Sequence, residues 1–238
     1  MPKTGELMTS AIKKNEIFIL IPTYNEGEII LNTIEPLIEM GYTVVVIDDC
    51  STDRTAEILK GAPIIYLKHF INLGQGAALQ TGLAYSVANN AKYAITFDAD
   101  GQHNYKEIPS LLAPVIEGKQ DITLGTRFKR KEDIAQIPKV RKIILKIAVI
   151  VNGVFTGLWL TDAHNGFRAM NAHAMAKIKL KENRMAHASE ILTQIKQNKL
   201  RYDEIPVKIV YTDYSKMKGQ SSLNSINILI DLLLKNIF

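Results

Sequence analysis

Two aspartates one residue apart, Asp98 and Asp100, end an apolar run and are followed at once by Gln102 and His103. In a turn at a strand end, two such carboxylates can converge on one hard cation. Oxygen ligands of this kind suit Mg²⁺ or Mn²⁺, ions that bridge phosphates. The plain alternative is a solvated acidic turn. Gln102 adds a neutral oxygen and His103 an imidazole, and spacing does not say which of them ligates. Asp48-Asp49 closes another apolar run. It reads either as an acidic start to a helix capped by Ser51 or Thr52, or as a carboxylate that accepts a hydrogen bond from a nucleobase or ribose. In Pro22-Thr23-Tyr24-Asn25-Glu26, Tyr24 could stack on a base and Glu26 hold a ribose hydroxyl; otherwise the segment is a turn capped by Asn25. Gly74-Gln75-Gly76-Ala77-Ala78 is a small-residue turn opening a helix. It lacks the third glycine of a dinucleotide fingerprint and the Gly-Lys-Ser/Thr ending of a phosphate loop.

These polar groups need elements to position them. Short apolar runs at Ile17–Ile21, Thr43–Ile47, Ile64–Leu67, Tyr93–Phe97 and Ile122–Leu124 read as strands buried on both faces. Helix-like segments at Gly27–Met40, Asp53–Leu59, Gly76–Asn90 and Lys106–Glu117 alternate with them. Such alternation predicts an open α/β sheet with right-handed crossovers, whose ligands bind at the carboxyl ends of the strands. The polar clusters stand at those ends, Gly125-Thr126-Arg127 among them. Beyond residue 127 the pattern changes. A helix over Val140–Phe155, a polar stretch Thr161–Arg168, a helix over Ala186–Gln197, a strand at Ile205–Tyr211, a polar loop Thr212–Ser222 and a final amphipathic helix are expected.

The chain has 238 residues, 47% hydrophobic and 22% charged, which excludes disorder, collagen-like repeats and coiled coil as overall descriptions. A single cysteine, Cys50, excludes an intramolecular disulfide framework or a cysteine-cluster zinc site. The net charge of +5 is unevenly spread. Residues 127–146 hold eight basic side chains against two acidic ones, which leaves the remainder near −1. A basic block beside an apolar run points to an anionic surface or ligand and not to a nucleic-acid binder. Neither 143–160 nor 226–238 is a clean apolar span of about 20 residues; both fit interfacial helices. No secretory leader is visible, and a cytoplasmic protein at the inner face of the cell membrane is expected.

Taken in order, Pro22-Thr23-Tyr24-Asn25-Glu26, Asp48-Asp49-Cys50-Ser51-Thr52-Asp53, Asn72–Ala78, Asp98–His103 and Gly125-Thr126-Arg127 resemble the family-2 glycosyltransferases of GT-A fold. Within that family they look most like the branch of dolichol-phosphate mannose synthases and bacterial polyprenyl-phosphate glycosyltransferases. Asp162, Asn165-Gly166-Phe167-Arg168, Glu190 and Ile205-Pro206-Val207 extend the resemblance over residues 17–225. Asn104 stands where that branch usually has proline, and His164-Asn165 where serine or Thr-Ser is common.

The resemblance implies one α/β domain: a mostly parallel twisted sheet, helices on both faces and C-terminal amphipathic helices. Residues 1–16 would be an extension, 17–127 the nucleotide-sugar half and 128–238 the acceptor half. It implies a metal-dependent, inverting enzyme. The sugar would move from a UDP- or GDP-sugar to a polyprenyl phosphate, or to a glycan or glycolipid in cell-surface polysaccharide synthesis. A non-catalytic sugar-nucleotide or carbohydrate-binding module of the same fold is the alternative. Pro22, Tyr24, Glu26, Asp49, Gly76, Asp98 and Ala99 would line the donor site, and Asp98, Asp100 and Gln102 would hold Mg²⁺ or Mn²⁺. Asp100, Arg127 and Asp162 would serve the chemistry, Asp162 as base if the acceptor is a hydroxyl. Arg127, Arg141, Asn165 and Arg168 would meet the acceptor, guanidinium forks being suited to phosphate.

Overall fold

The computed structural model describes residues 13–130, 132, 134, 139–162 and 165–210. Among them, seven strands form one sheet: β1 (Ile17–Thr23), β2 (Thr43–Asp48), β3 (Ile65–Lys68), β4 (Tyr93–Thr96), β5 (Ile122–Thr126), β6 (Arg168–Asn171) and β7 (Tyr202–Pro206). Their order is β3-β2-β1-β4-β6-β5-β7. β3, β2, β1 and β4 run parallel, and so do β5 and β7; β6 alone is antiparallel to its neighbours β4 and β5. The helices are α1 (Ile30–Glu39), α2 (Thr55–Ile58), α3 (Gln75–Ala88), α4 (Ile108–Ile116), α5 (Lys139–Thr156), α6 (Ala172–Lys177) and α7 (His187–Gln197).

In β1, β2 and β5 the continuous apolar runs are explained by cover on both faces; β3, expected to be buried on both faces, alternates half-buried and exposed residues at the margin of the described sheet. Alternate residues of β1 and β2 point opposite ways. Leu20, Val45 and Ile47 join Leu79 and Leu83 of α3 and Ile191 and Ile195 of α7 in one core. Ile19, Ile21, Val44 and Val46 join Ile34 and Leu37 of α1 and Leu111 and Leu112 of α4 in the other. Each fully buried Ile or Leu contributes about 1.5–3 kcal/mol.

Three elements depart from the expectation. β6 and α6 fall where a polar stretch and no element were read. Arg168-Ala169-Met170-Asn171 carries no strand-like apolar alternation, and the strand exists because it fits between β4 and β5, with Arg168 opposite both Thr96 and Leu124. Asn171 then caps α6 by accepting from the Ala174 amide at 2.8 Å. β7 lies at 202–206, not 205–211. Arg201 fixes this register by clasping Asp121 at the start of β5, with Nη2–Oδ1 at 2.8 Å and its backbone amide on Oδ2 at 2.9 Å. The loop and helix expected after residue 211, Lys131 and His164 lie outside the described residues. No helix among the described residues is long and apolar enough to cross a membrane.

Candidate active site at the carboxyl edge of the sheet

β1, β2, β4 and β5 deliver their C-terminal residues to one edge, as parallel strands must. At the β1–α1 turn Pro22 is buried within the sheet, while Tyr24 is 45% exposed. Asn25 takes a positive φ of 54° and stitches this turn to the one after β2. Its Oδ1 accepts from the Thr52 amide at 2.8 Å, and its own amide donates to Ser51 Oγ at 2.9 Å. The Glu26 amide donates to Thr55 Oγ1 at 3.0 Å. Asp48 is fully buried, taking the Tyr66 hydroxyl and the Ser51 amide. Burial first, then the Asp48 carboxylate, hold the Tyr66 phenol well above its ordinary range.

Asp49 builds the neighbouring loop. Its carboxylate accepts from the Leu73 amide at 3.0 Å and the Gly74 amide at 2.6 Å, and meets His69 Nδ1 at 2.7 Å. Gly76 is also structural in its surroundings. A Cβ there would lie 2.0 Å from the Glu182 carbonyl oxygen and 2.9 Å from His187 Cβ. The bare face of this glycine is filled by the 182–187 segment, so the small-residue turn is needed for chain packing.

Asp98 and Asp100 sit beyond β4. The Asp98 amide donates to His103 Nδ1 at 3.3 Å, which leaves the ring proton on Nε2, 3.2 Å from Asp98 Oδ2. The imidazole is clamped by Phe167, stacked at 4.8 Å, and by the edge of Phe97 at 5.2 Å. Gln75 Nε2 donates to Asp98 Oδ1 at 3.1 Å. Burial alone would raise Asp98, but His103, Arg168 and His187 together hold its carboxyl below the usual range. Asp100 is treated oppositely: burial, then the charge of Asp98, push it up to about 6. Gln102 supports it, donating its amide N–H at 3.0 Å and Nε2 at 2.7 Å. Gln102 thus reaches the site through Asp100. Between the two acids Ala99 is buried, and its carbonyl accepts from Thr33 Oγ1 at 3.0 Å.

No group of three or more His, Cys, Asp or Glu among the described residues could hold an ion by itself. The donor set still fits one hard divalent cation. Two oxygen-donor carboxylates repel each other, and a cation relieves that repulsion; Mg²⁺ in particular takes one or two carboxylates plus substrate phosphates. The Asp98 carboxylate packs against the bare face of Gly166, where a Cβ would stand 2.8 Å from Oδ2.

At the end of β5 the structure changes the reading of several residues. Arg127 and Asp162 were expected to work separately, and they form a buried bidentate pair with Nε–Oδ2 at 2.6 Å and Nη2–Oδ1 at 2.7 Å. The Asp162 carboxylate accepts from Nε, Nη2 and the backbone amide of Arg127. Arg168 was expected at the acceptor; it is 2% exposed, beneath the edge, and its Nη1 has no hydrogen-bond partner among the described residues. Burial lowers its pKa to about 10, against the opposing pull of Asp98 and Asp162. Asn165 is buried too, with Oδ1 accepting from the Phe167 amide and Nδ2 without a partner among the described residues. The basic block is partly spent internally: Lys129 Nζ donates to the Glu204 carbonyl and Arg130 pairs with Glu107 at 2.7 Å. The Arg141 side chain lies outside the described residues. Sequence reasoning missed Glu204 and Gln75. A lone Glu in a strand and a Gln in a glycine-rich turn carry no spacing signal.

α5 buries Ala148, Asn152 and Thr156 on one side. On the other, Ile143, Ile147, Ile150 and Val154 are 45–66% exposed, and Trp159 beyond the helix is 66% exposed. Spacings of 4, 3 and 4 make one continuous apolar stripe. The helix contains Lys139, Arg141, Lys142 and Lys146 and no acidic residue.

Residues 18–179 match the model of a protein family described as glycosyl transferase family 2. An uncharacterized protein of Methanocaldococcus jannaschii is 35% identical over 230 residues, 95% of each chain. A UDP-N-acetylglucosamine–dolichyl-phosphate N-acetylglucosaminyltransferase of Methanococcus voltae is 30% identical, covering 92% of this chain and 95% of the relative. Among solved structures, glucosyl-3-phosphoglycerate synthase of Mycobacterium tuberculosis, in complex with Mn²⁺, UDP and phosphoglyceric acid, aligns with a TM-score of 0.67 at 15% identity, over 96% of this chain and 82% of that one. At that identity the likeness concerns the fold.

Proposed function

This chain belongs to glycosyl transferase family 2, and from that premise we propose that it transfers a sugar, with inversion, from a UDP- or GDP-sugar to the phosphate of a polyprenyl-phosphate lipid at an anionic membrane surface. The observation that carries the reading is the Asp98–Asp100 pair at the end of β4, on the same edge as the Arg127–Asp162 pair at the end of β5. The first is suited to a cation and a diphosphate; at the second, Asp162 balances the charge of Arg127 and fixes the guanidinium that would meet the acceptor. The relative from Methanococcus voltae, named for a dolichyl-phosphate acceptor and a UDP-sugar, supports the same pairing of substrates.

Asp98 and Asp100 would hold Mg²⁺ or Mn²⁺. Such an ion, when bound, neutralises charge developing on the departing diphosphate. Around that centre, His103 and Gln75 orient Asp98 and Gln102 orients Asp100. Tyr24 and Glu26 stand where the nucleoside would enter, on a turn stiffened by Asn25. Asp49 serves by shaping the 69–74 loop that walls this side. In the reaction an oxygen of the acceptor phosphate attacks the anomeric carbon, the bond from that carbon to the diphosphate oxygen breaks, and a nucleoside diphosphate leaves. A single displacement inverts the centre. The phosphate oxygen is already anionic, so no side chain needs to take a proton. This agrees with the engagement of Asp162 by Arg127, an arrangement that disfavours a hydroxyl acceptor.

A donor screen tests the reading. Purified chain with Mn²⁺ or Mg²⁺ is given UDP-, GDP- and dTDP-sugars, and released nucleotide is measured. Slow release from one UDP- or GDP-sugar is expected, abolished by EDTA and by Asp100→Asn. No release from any donor, or release indifferent to both treatments, rejects it.

A further inference from the structure

Glu204 is an acidic residue on the edge strand β7, and only 9% of it is exposed. A carboxylate is costly to bury unless hydrogen-bonded. Every described partner of this one belongs to a single turn. Oε1 accepts from the Thr161 amide at 2.8 Å, the Thr161 hydroxyl at 2.8 Å and the Asp162 amide at 3.1 Å; Oε2 shares the Thr161 amide at 3.0 Å. The sheet places it for this. Glu204 pairs with Leu124 of β5, two residues before Thr126 and so on the same face. Thr126 Oγ1 closes the cluster on Thr161 Oγ1 at 2.7 Å. The turn so gripped carries Asp162, whose carboxylate holds Nε, Nη2 and the backbone amide of Arg127.

We propose that Glu204 is a positioning residue for the acceptor: it fixes the Thr161–Asp162 turn and, through Asp162, the direction in which the Arg127 guanidinium is presented. Charge-assisted bonds to two backbone amides are strong and directional. They leave Asp162 little freedom, and a bidentate fork transmits that constraint to a planar guanidinium. Donor binding depends on other strands, at the ends of β1, β2 and β4. The proposal rests on the reading of Arg127 as a contact of the acceptor phosphate.

The test uses Glu204→Gln, which keeps the shape and one acceptor oxygen but places an NH₂ against the Thr161 N–H. KM and kcat are measured with the nucleotide sugar that the donor screen selects and with undecaprenyl phosphate in detergent. Glu204→Gln should raise KM for the lipid phosphate by about 10- to 100-fold, the scale on which small misplacements act, with KM for the donor unchanged. Arg127→Ala should raise the same KM, and Glu204→Gln added to Arg127→Ala should do nothing more. A purely structural role would instead lower the melting temperature and shift both KM values. That result, or an unchanged lipid KM in Glu204→Gln beside a raised one in Arg127→Ala, overturns the proposal alone. An unchanged lipid KM in Arg127→Ala overturns the acceptor reading beneath it.

Discussion

Asp98 and Asp100 are two residues apart, yet their surroundings drive them to opposite protonation behaviour: His103, Arg168 and His187 favour the charged form of one, while burial and that very charge disfavour it in the other. The pair itself was legible in the sequence because its members are adjacent. What surrounds it was not, because Gln75 and Arg168 reach it from elsewhere in the chain. The same holds for Arg127. Its type and place at a strand end were readable, but its union with Asp162 depends on a contact across 35 positions. That pair yields a prediction about stability. The side chains of Arg127 and Asp162 are 8% and 1% exposed, so removing one partner leaves a buried charge. Asp162→Leu and Arg127→Met should each destabilise the fold by about 3–5 kcal/mol, and the double substitution that combines them should recover much of that loss. Urea unfolding of the three variants measures it; additive losses in the double variant would show that the two side chains do not act as a pair.

Among the elements, β1, β2, β4 and β5 were readable because burial on both faces writes itself as uninterrupted apolar runs, whereas β3, read in the same way, is half-exposed. β6 was not, since its four residues owe their strand conformation to the two strands that flank them. β7 was displaced for a related reason: a clasp between Arg201 and Asp121, distant in sequence, sets its register against the pull of the apolar residues Val207 and Ile209. α5 was expected as a helix, and its exposed stripe gives the expectation of an interfacial helix a definite face. Purified chain should float with phosphatidylglycerol vesicles at low salt and less so at high salt, because exposed charges are screened. Ile147→Ser with Ile150→Ser should abolish flotation without changing the melting temperature, both residues being about half exposed. Flotation that survives the double substitution would remove α5 from the membrane contact. A stripe-dependent dimer in gel filtration would give this face to a second copy of the chain.

Across the whole molecule, one sheet edge collects Asp98 and Asp100, the Arg127–Asp162 pair and the loops that shape them, and at the opposite ends of the strands Arg201 clasps Asp121. Asp121 is held far below the usual carboxylate range, first by its hydrogen bond to Arg201. A depressed folded value means the contribution is complete above the unfolded Asp pKa, about 4, and fades as the pH falls below it. Asp121→Asn should therefore unfold more readily than the unaltered chain at pH 7, with the difference narrowing below about pH 4; circular dichroism against pH follows it, and a gap that widens on acidification would contradict the assignment. Transfer of the sugar to a lipid phosphate is tested most directly by product. The chain is incubated with Mn²⁺, undecaprenyl phosphate and radiolabelled UDP- or GDP-sugars, and the lipid phase is extracted. Label is expected in a lipid-linked sugar monophosphate, lost in Asp100→Asn and released as free sugar by mild acid. Label that appears only on a hydroxyl-bearing glycan or glycolipid acceptor, with undecaprenyl phosphate left unlabelled, would contradict it.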